Sequence, residues 1–171
     1  MNMACWITTI RFVLAPLIFW QLAIHTTAGM SWMLILLFFS GGSDVLDGWV
    51  ARVRNEVSEL GKALDPLADK FVILATLLGL TWWGLPIWMV VIYLVKETIQ
   101  VLAGWFLLRR FKQLISANFW GKSATVTFFA GFALFFWHQW VGTMVIALAT
   151  IISIYALFTY YRVFLKIKAP K

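Results

Sequence analysis

Six apolar stretches, separated by turn-like or charged segments, run through most of this chain. A helix needs about 20 residues to cross the hydrocarbon layer of a membrane, and about 17 to 25 are tolerated. The stretches are 6–25, 30–49, 66–83, 85–108, 123–138 and 142–164, and the fifth is short for a membrane span. We therefore predict an all-α integral membrane protein with six transmembrane helices.

The composition also indicates that lipid surrounds most of the chain. Of the 171 residues, 63% are hydrophobic and 12% are charged, whereas soluble domains are about 25% charged. In so apolar a chain, the net charge of +7 indicates basic loops beside a membrane rather than a nucleic-acid-binding surface. No linker, internal repeat or low-complexity tract divides the sequence, so we predict a single domain, 1–171.

Lysine and arginine are distributed asymmetrically between the connections. The segments HTTAGMS, WWGLP and HQWVG contain neither residue, whereas the second and fourth connections and the C-terminus are rich in both. Basic residues concentrate in cytoplasmic loops, so we predict that both termini lie in the cytoplasm. A cleaved signal peptide is an alternative interpretation of the first stretch, and it would leave five spans.

Acidic residues gather beside the second connection. The segment SDVLDGWVARVRNEVSELGKALDPLADK holds six of the seven acidic residues. Asp44 and Asp47 are three residues apart and Asp65 and Asp69 are four apart, so each pair shares one face of a helix. Because the segment between the pairs is short, we expect antiparallel neighbouring helices that bring the four carboxylates together near the membrane surface.

Four ionised carboxylates beside lipid need neutralisation. Inserting one ionised carboxylate at the centre of a membrane helix costs about 2.5–3.5 kcal/mol. Hard divalent cations bind carboxylate oxygens, and Mg²⁺ keeps coordination positions open for phosphate, so the cluster predicts a site for two Mg²⁺ or Mn²⁺ ions. Glu56 and Glu59 are expected to be solvated bystanders in the connection. A membrane ion transporter is a remote alternative, because transporters also contain buried carboxylates.

The segment follows the spacing D-x2-D-G-x2-A-R-x8-G-x3-D-x3-D. This spacing resembles the signature of the CDP-alcohol phosphotransferase family at all eight positions. The matching residues are Asp44, Asp47, Gly48, Ala51, Arg52, Gly61, Asp65 and Asp69. The six predicted spans also resemble the family, so the likeness covers essentially the whole chain.

The resemblance implies an activity and roles for these residues. Family members transfer a phosphatidyl group from CDP-diacylglycerol to an alcohol and release CMP. By this resemblance Asp69 is the catalytic base, and the metal ligands are Asp44, Asp47, Asp65 and Asp69. The implied CDP-binding residues are Asp44, Asp47, Gly48, Ala51, Arg52, Gly61 and Asp65. The resemblance further implies a homodimer in the cytoplasmic (inner) membrane, with its active site facing the cytoplasm.

The likeness is strongest to the bacterial phosphatidylglycerophosphate synthase branch. The N-terminal ACWITTIRFVLAP keeps Thr8, Arg11 and Pro16 of that branch's pattern, although Ala4 and Cys5 replace its proline and asparagine. This likeness implies glycerol 3-phosphate as the acceptor. Phosphatidylglycerol, the acceptor of CMP-forming cardiolipin synthases, is the alternative.

Basic side chains are the candidates for holding the phosphate of the acceptor. They are Lys96, Arg109, Arg110 and Lys122. Lys96 lies in the middle of a predicted span beside Glu97, where the synthase branch has Arg-Glu, and an ionisable residue inside a membrane is a functional candidate. An ion pair that only stabilises the helices is the alternative role for Lys96. Gly104 departs from the branch, which typically has an arginine there, and this departure bears on the choice of acceptor.

Overall fold

The computed structural model describes residues 3–54, 59–111 and 119–168. Side chains are described for 10–42, 67–106, 109 and 119–162. The helices are α1 (Met3–Ala23), α2 (Thr27–Arg54), α3 (Glu59–Leu80), α4 (Ile87–Phe111), α5 (Phe119–Trp137) and α6 (Gln139–Lys168). No strand occurs in the described residues. The predicted all-α class and the order of six helical stretches are therefore confirmed.

Three helical segments in the described part of the chain are long and apolar enough to cross a membrane. These are Ile87–Phe106, Phe119–Trp137 and Gln139–Arg162, and Ile10–Ala23 and Thr27–Gly42 are shorter apolar segments. Large apolar side chains are widely exposed, including Phe38 at 80% and Trp140 at 82%. Such surfaces are those of a membrane protein, because lipid rather than water solvates them. The number of crossings and their direction stay predictions.

The first compact unit is Met1–Pro86, in which α1 packs against both α2 and α3. Ile18 and Leu22 on α1 and Leu77 on α3 are fully buried in its core. At Gly79, a β-carbon would lie 2.6 Å from Leu22 Cδ1. Glycine at this position therefore permits the close approach of α1 and α3, as small residues do between membrane helices.

Short turns with defined hydrogen bonds follow α1 and α3. Thr26 caps α2, because its Oγ1 accepts a hydrogen bond of 3.0 Å from Gly29 N. Trp83 Nε1 donates a hydrogen bond of 3.1 Å to Leu22 O, and the Trp83 ring lies 4.4 Å from that of His25. Gly84 has φ 95°, a conformation that only glycine adopts readily, and it ends the 3₁₀ turn Thr81–Trp83 that follows α3.

The second compact unit is Ile87–Lys171, in which α6 packs against both α5 and α4. Only His138 separates α5 from α6, so the break predicted at HQWVG is shorter than expected. A β-carbon at Gly142 would lie 2.3 Å from Phe135 Cα, and one at Gly131 would lie 2.8 Å from Ile146 Cγ1. The two helices therefore cross at contacts that a larger residue would disrupt.

The polar connection between α2 and α3 is more helical than the sequence indicated. Helix α2 continues to Arg54 and α3 begins at Glu59, so Glu59 is a helical residue rather than part of the connection. Apolarity marks only the part of a helix that lies in lipid, whereas backbone hydrogen bonding continues beyond it. Glu56 lies outside the described residues.

Candidate functional site

The two halves of the acidic segment lie on two helices of the first unit. Asp44 and Asp47 belong to the second half of α2, and Asp65 and Asp69 belong to α3. Residues three or four apart on an α-helix share a face, so the predicted pairing within each helix is confirmed for the backbone. The remaining signature residues are also helical: Gly48, Ala51 and Arg52 on α2, and Gly61 on α3.

Of the eight signature side chains, the structure describes that of Asp69. Those of Asp44, Asp47, Arg52 and Asp65 lie outside the described residues, so the convergence of the four carboxylates stays a prediction. Among the described residues there is no group of three acidic, histidine or cysteine side chains that could hold a metal ion. The donor set of the signature nevertheless fits a hard cation, because it consists of carboxylates alone.

A buried arginine holds Asp69. Arg11 Nη1, on α1, donates a hydrogen bond of 3.0 Å to Asp69 Oδ1, on α3. The Arg11 side chain is 0% exposed and that of Asp69 is 30% exposed. Removing one partner of a fully buried ion pair costs about 3–5 kcal/mol. The cost is smaller here, because solvent reaches part of the carboxylate.

Packing between α1 and α3 fixes the position of this pair. The Phe12 and Phe71 rings lie 5.4 Å apart. Ala68 and Val72, which flank Asp69 on α3, are both fully buried. Two helices in such direct contact set the distance between the backbones that carry the guanidinium and the carboxylate.

Arg11 is not among the predicted site residues, although it matches the N-terminal pattern of the synthase branch. The separation of 58 positions between Arg11 and Asp69 hides the contact from any local spacing rule. The available signal was the position of Arg11 within an apolar stretch, because a charge buried in such a stretch requires a partner.

Helix α4 contains a second buried ion pair. Lys96 Nζ lies 2.6 Å from Glu97 Oε1, and their side chains are 9% and 13% exposed. This ion pair forms between adjacent residues of α4. One turn further, Gln100 Oε1 is buried and accepts no hydrogen bond from the described residues. Polar groups therefore occupy two successive turns of an otherwise apolar helix.

The other basic candidates have different surroundings. Arg109 is exposed, and its guanidinium lies 4.5 Å from the centre of the Trp105 ring, which is a cation–π distance. Lys122 is exposed in the first turn of α5. The side chain of Arg110 lies outside the described residues. At Gly104, the Tyr160 hydroxyl lies 3.2 Å from the position that a β-carbon would occupy.

Comparison with known proteins identifies a family. A family model described as CDP-alcohol phosphatidyltransferase matches residues 1–159. A CMP-forming cardiolipin synthase from Streptomyces coelicolor is 38% identical over 128 residues, which are 72% of this chain and 60% of that protein. A CDP-diacylglycerol–glycerol-3-phosphate 3-phosphatidyltransferase from Bacillus subtilis is 37% identical over 92 residues, 53% of this chain and 47% of that protein.

The matches differ in how much of each relative they cover. The chain spans less than two thirds of the Streptomyces and Bacillus proteins. A CDP-diacylglycerol–glycerol-3-phosphate 3-phosphatidyltransferase from Haemophilus influenzae is 24% identical over 173 residues, which are 95% of this chain and 92% of that protein. Since the family match covers most of the chain, from residue 1 to residue 159, this protein belongs to the CDP-alcohol phosphatidyltransferase family.

Proposed function

We propose that this protein is an enzyme of phospholipid synthesis that transfers a phosphatidyl group from CDP-diacylglycerol to an alcohol and releases CMP. One observation carries the proposal. In a member of the CDP-alcohol phosphatidyltransferase family, the eight signature residues lie on two helices of one compact unit. The names of the Streptomyces, Bacillus and Haemophilus relatives support this reaction.

The proposed reaction is a displacement at phosphorus. The hydroxyl oxygen of the acceptor bonds to the phosphorus that carries the diacylglycerol, and the bond from this phosphorus to the CMP oxygen breaks. The proton of the hydroxyl passes to the carboxylate of Asp69. An alcohol is a weak nucleophile until a base accepts its proton, and a positioned base contributes about 10²–10⁴-fold to the rate.

The other signature residues would bind the cytidine diphosphate and the metal. Asp44, Asp47 and Asp65 would hold two divalent ions, Mg²⁺ or Mn²⁺, which neutralise the pyrophosphate and polarise the phosphorus when bound. Arg52 would bind phosphate oxygens through its planar guanidinium. The small residues Gly48, Ala51 and Gly61 would leave room for the nucleotide beside the helix backbones.

The described contact of Asp69 is compatible with both roles that the family resemblance implies. Its Oδ1 accepts a hydrogen bond from Arg11, and carboxylates that bind a metal are commonly held by such outer partners. We assign Asp69 to proton transfer and to the edge of the metal site by the resemblance.

We propose glycerol 3-phosphate as the first acceptor to test. The names of the Bacillus and Haemophilus relatives support it, and Lys96, Arg109, Arg110 and Lys122 are the candidates to hold its phosphate. Phosphatidylglycerol is the second acceptor. The name of the Streptomyces relative supports it. Gly104 supports it as well, because the chain lacks the arginine that the synthase branch has there. The Tyr160 hydroxyl lies 3.2 Å from the position of a β-carbon at residue 104.

The wider arrangement of the protein is also proposed. The single domain 1–171 would form a homodimer in the cytoplasmic membrane, with both termini and the active site on the cytoplasmic side. The absence of lysine and arginine from HTTAGMS, WWGLP and HQWVG supports this orientation.

The test is CMP release by the purified protein. The assay contains CDP-diacylglycerol, Mg²⁺ or Mn²⁺, and either labelled glycerol 3-phosphate or labelled phosphatidylglycerol. We expect Asp69→Asn to lower kcat about 10²–10⁴-fold, because the amide cannot accept the proton. Thr76→Val is the matched control on the same helix: the Thr76 hydroxyl donates to Val72 O of that helix, at 2.8 Å, so turnover should persist.

Three outcomes of these assays would each contradict one part of the proposal. Release of CMP with phosphatidylglycerol but not with glycerol 3-phosphate would replace the first acceptor by the second. Wild-type turnover in Asp69→Asn would remove Asp69 as the base. No CMP release with any alcohol, together with ion flux in proteoliposomes, would favour the transporter alternative.

A further inference from the structure

The ion pair between Arg11 and Asp69 joins a fully buried cation to a partly accessible carboxylate. The Arg11 side chain has no exposed surface, whereas 30% of the Asp69 side chain is exposed. The guanidinium therefore reaches Asp69 from the interior of the first unit, and the carboxylate keeps a surface that a ligand can reach.

The contact restricts the orientation of Asp69. The terminal torsion of an aspartate has a broad distribution, so a carboxylate without a fixed partner samples many orientations. A guanidinium is planar, permanently charged and directional in its hydrogen bonds. The 3.0 Å bond from a buried Arg11 therefore fixes Asp69 Oδ1, and the contact of Phe12 with Phe71 holds the two helices beside it.

We propose that Arg11 is a positioning residue, which holds Asp69 in the orientation in which its carboxylate meets the attacking hydroxyl. The inference rests on the proposed function, because it requires Asp69 to be the base. The Arg11 side chain has no exposed surface, so we assign its effect to Asp69 rather than to a substrate. Removal of Arg11 should therefore affect the chemical step more than the binding of CDP-diacylglycerol.

The experiment places Arg11→Gln and Arg11→Lys in the wild-type and Asp69→Asn backgrounds of the full chain. Release of labelled CMP gives kcat and the KM for CDP-diacylglycerol. In the wild-type background we expect Arg11→Gln to lower kcat about 100-fold, the scale of a 1 Å misplacement of a reacting group, and to leave this KM within a few-fold. Arg11→Lys should recover part of the loss, since lysine keeps the charge but not the planar fork.

The double variants separate positioning from general support of the fold. In the Asp69→Asn background, Arg11→Gln should lower the residual kcat by less than about threefold, because residues that act as a unit have non-additive effects. Multiplication of the two losses, or an unchanged kcat in Arg11→Gln, would overturn the inference and leave the proposed function intact. A wild-type protein that releases no CMP would overturn both.

A packing control addresses the stability of the variants. Gly79→Ala strains the same pair of helices without touching Arg11, because its β-carbon would meet Leu22 Cδ1 at 2.6 Å. Thermal melts accompany every rate measurement. If Gly79→Ala lowers both the melting temperature and kcat as much as Arg11→Gln does, Arg11 is only structural and the inference fails. If Arg11→Gln does not fold, Arg11→Lys in both backgrounds gives the same comparison.

Discussion

Replacing Lys96 by methionine, alone and together with Glu97→Leu, tests whether this residue stabilises the fold, binds the acceptor phosphate, or does both. The Lys96 and Glu97 side chains are 9% and 13% exposed, and their charged atoms lie 2.6 Å apart. Breaking a buried pair by removing one partner costs about 3–5 kcal/mol, because the remaining charge stays buried. At about 2–4 °C per kcal/mol for a chain of this size, Lys96→Met should lower Tm by roughly 10 °C.

The double variant Lys96→Met/Glu97→Leu removes the second charge as well. Replacing a buried ion pair by apolar residues of similar volume is often neutral, so its free energy of unfolding should return to within about 1 kcal/mol of the wild type. If Lys96 holds the acceptor phosphate, both variants should raise the KM for glycerol 3-phosphate. The expected increase is about 10–100-fold, which corresponds to one lost hydrogen bond to a charged group.

The assay therefore has two independent readouts. Intrinsic tryptophan fluorescence in detergent gives Tm, and CMP release gives the KM for each substrate. The KM for CDP-diacylglycerol should stay unchanged in both variants and serves as the internal control. Recovery of the acceptor KM in the double variant would show that Lys96 is only structural. An unchanged Tm in Lys96→Met would refute the argument from burial.

Two further predictions concern the α5–α6 hairpin and the metal. Gly142→Ala should lower the free energy of unfolding by about 1–3 kcal/mol, because its β-carbon would lie 2.3 Å from Phe135 Cα, a backbone atom that cannot move aside. Gly121→Ala on α5, which meets nothing within 4 Å, is the control, and equal melting temperatures for the two variants would contradict the packing argument. EDTA should abolish CMP release and added Mg²⁺ or Mn²⁺ should restore it, because the carboxylates need hard cations to bind a pyrophosphate. Turnover that is unaffected by the chelator would rule out the proposed metal site.

Local patterns in the sequence were sufficient for much of the architecture. Apolar length alone located all six helices, because a membrane helix must bury about 20 residues in lipid. It placed the helix ends less well: α2 and α3 extend into the polar segment, and Glu59 is helical. Hydropathy reports the boundary of lipid rather than the end of backbone hydrogen bonding. The resemblance of the eight-residue spacing to a known signature indicated the family, whereas helical periodicity showed only that Asp44 and Asp47, and Asp65 and Asp69, share a helix face.

Contacts between residues that are distant in sequence were decided by the tertiary structure. Arg11 and Asp69 are 58 positions apart and belong to different helices, so their ion pair depends on how α1 packs against α3. Lys96 and Glu97 are adjacent, yet only the coordinates distinguish a pair within one helix from a pair between helices. The sequence by itself determined the apolar, all-α class and, through its resemblance, the family, and the residues of the proposed reaction stay predictions. The packing of α1 against α3 decided which buried cation holds Asp69, because such contacts depend on distances between helices that no local pattern encodes.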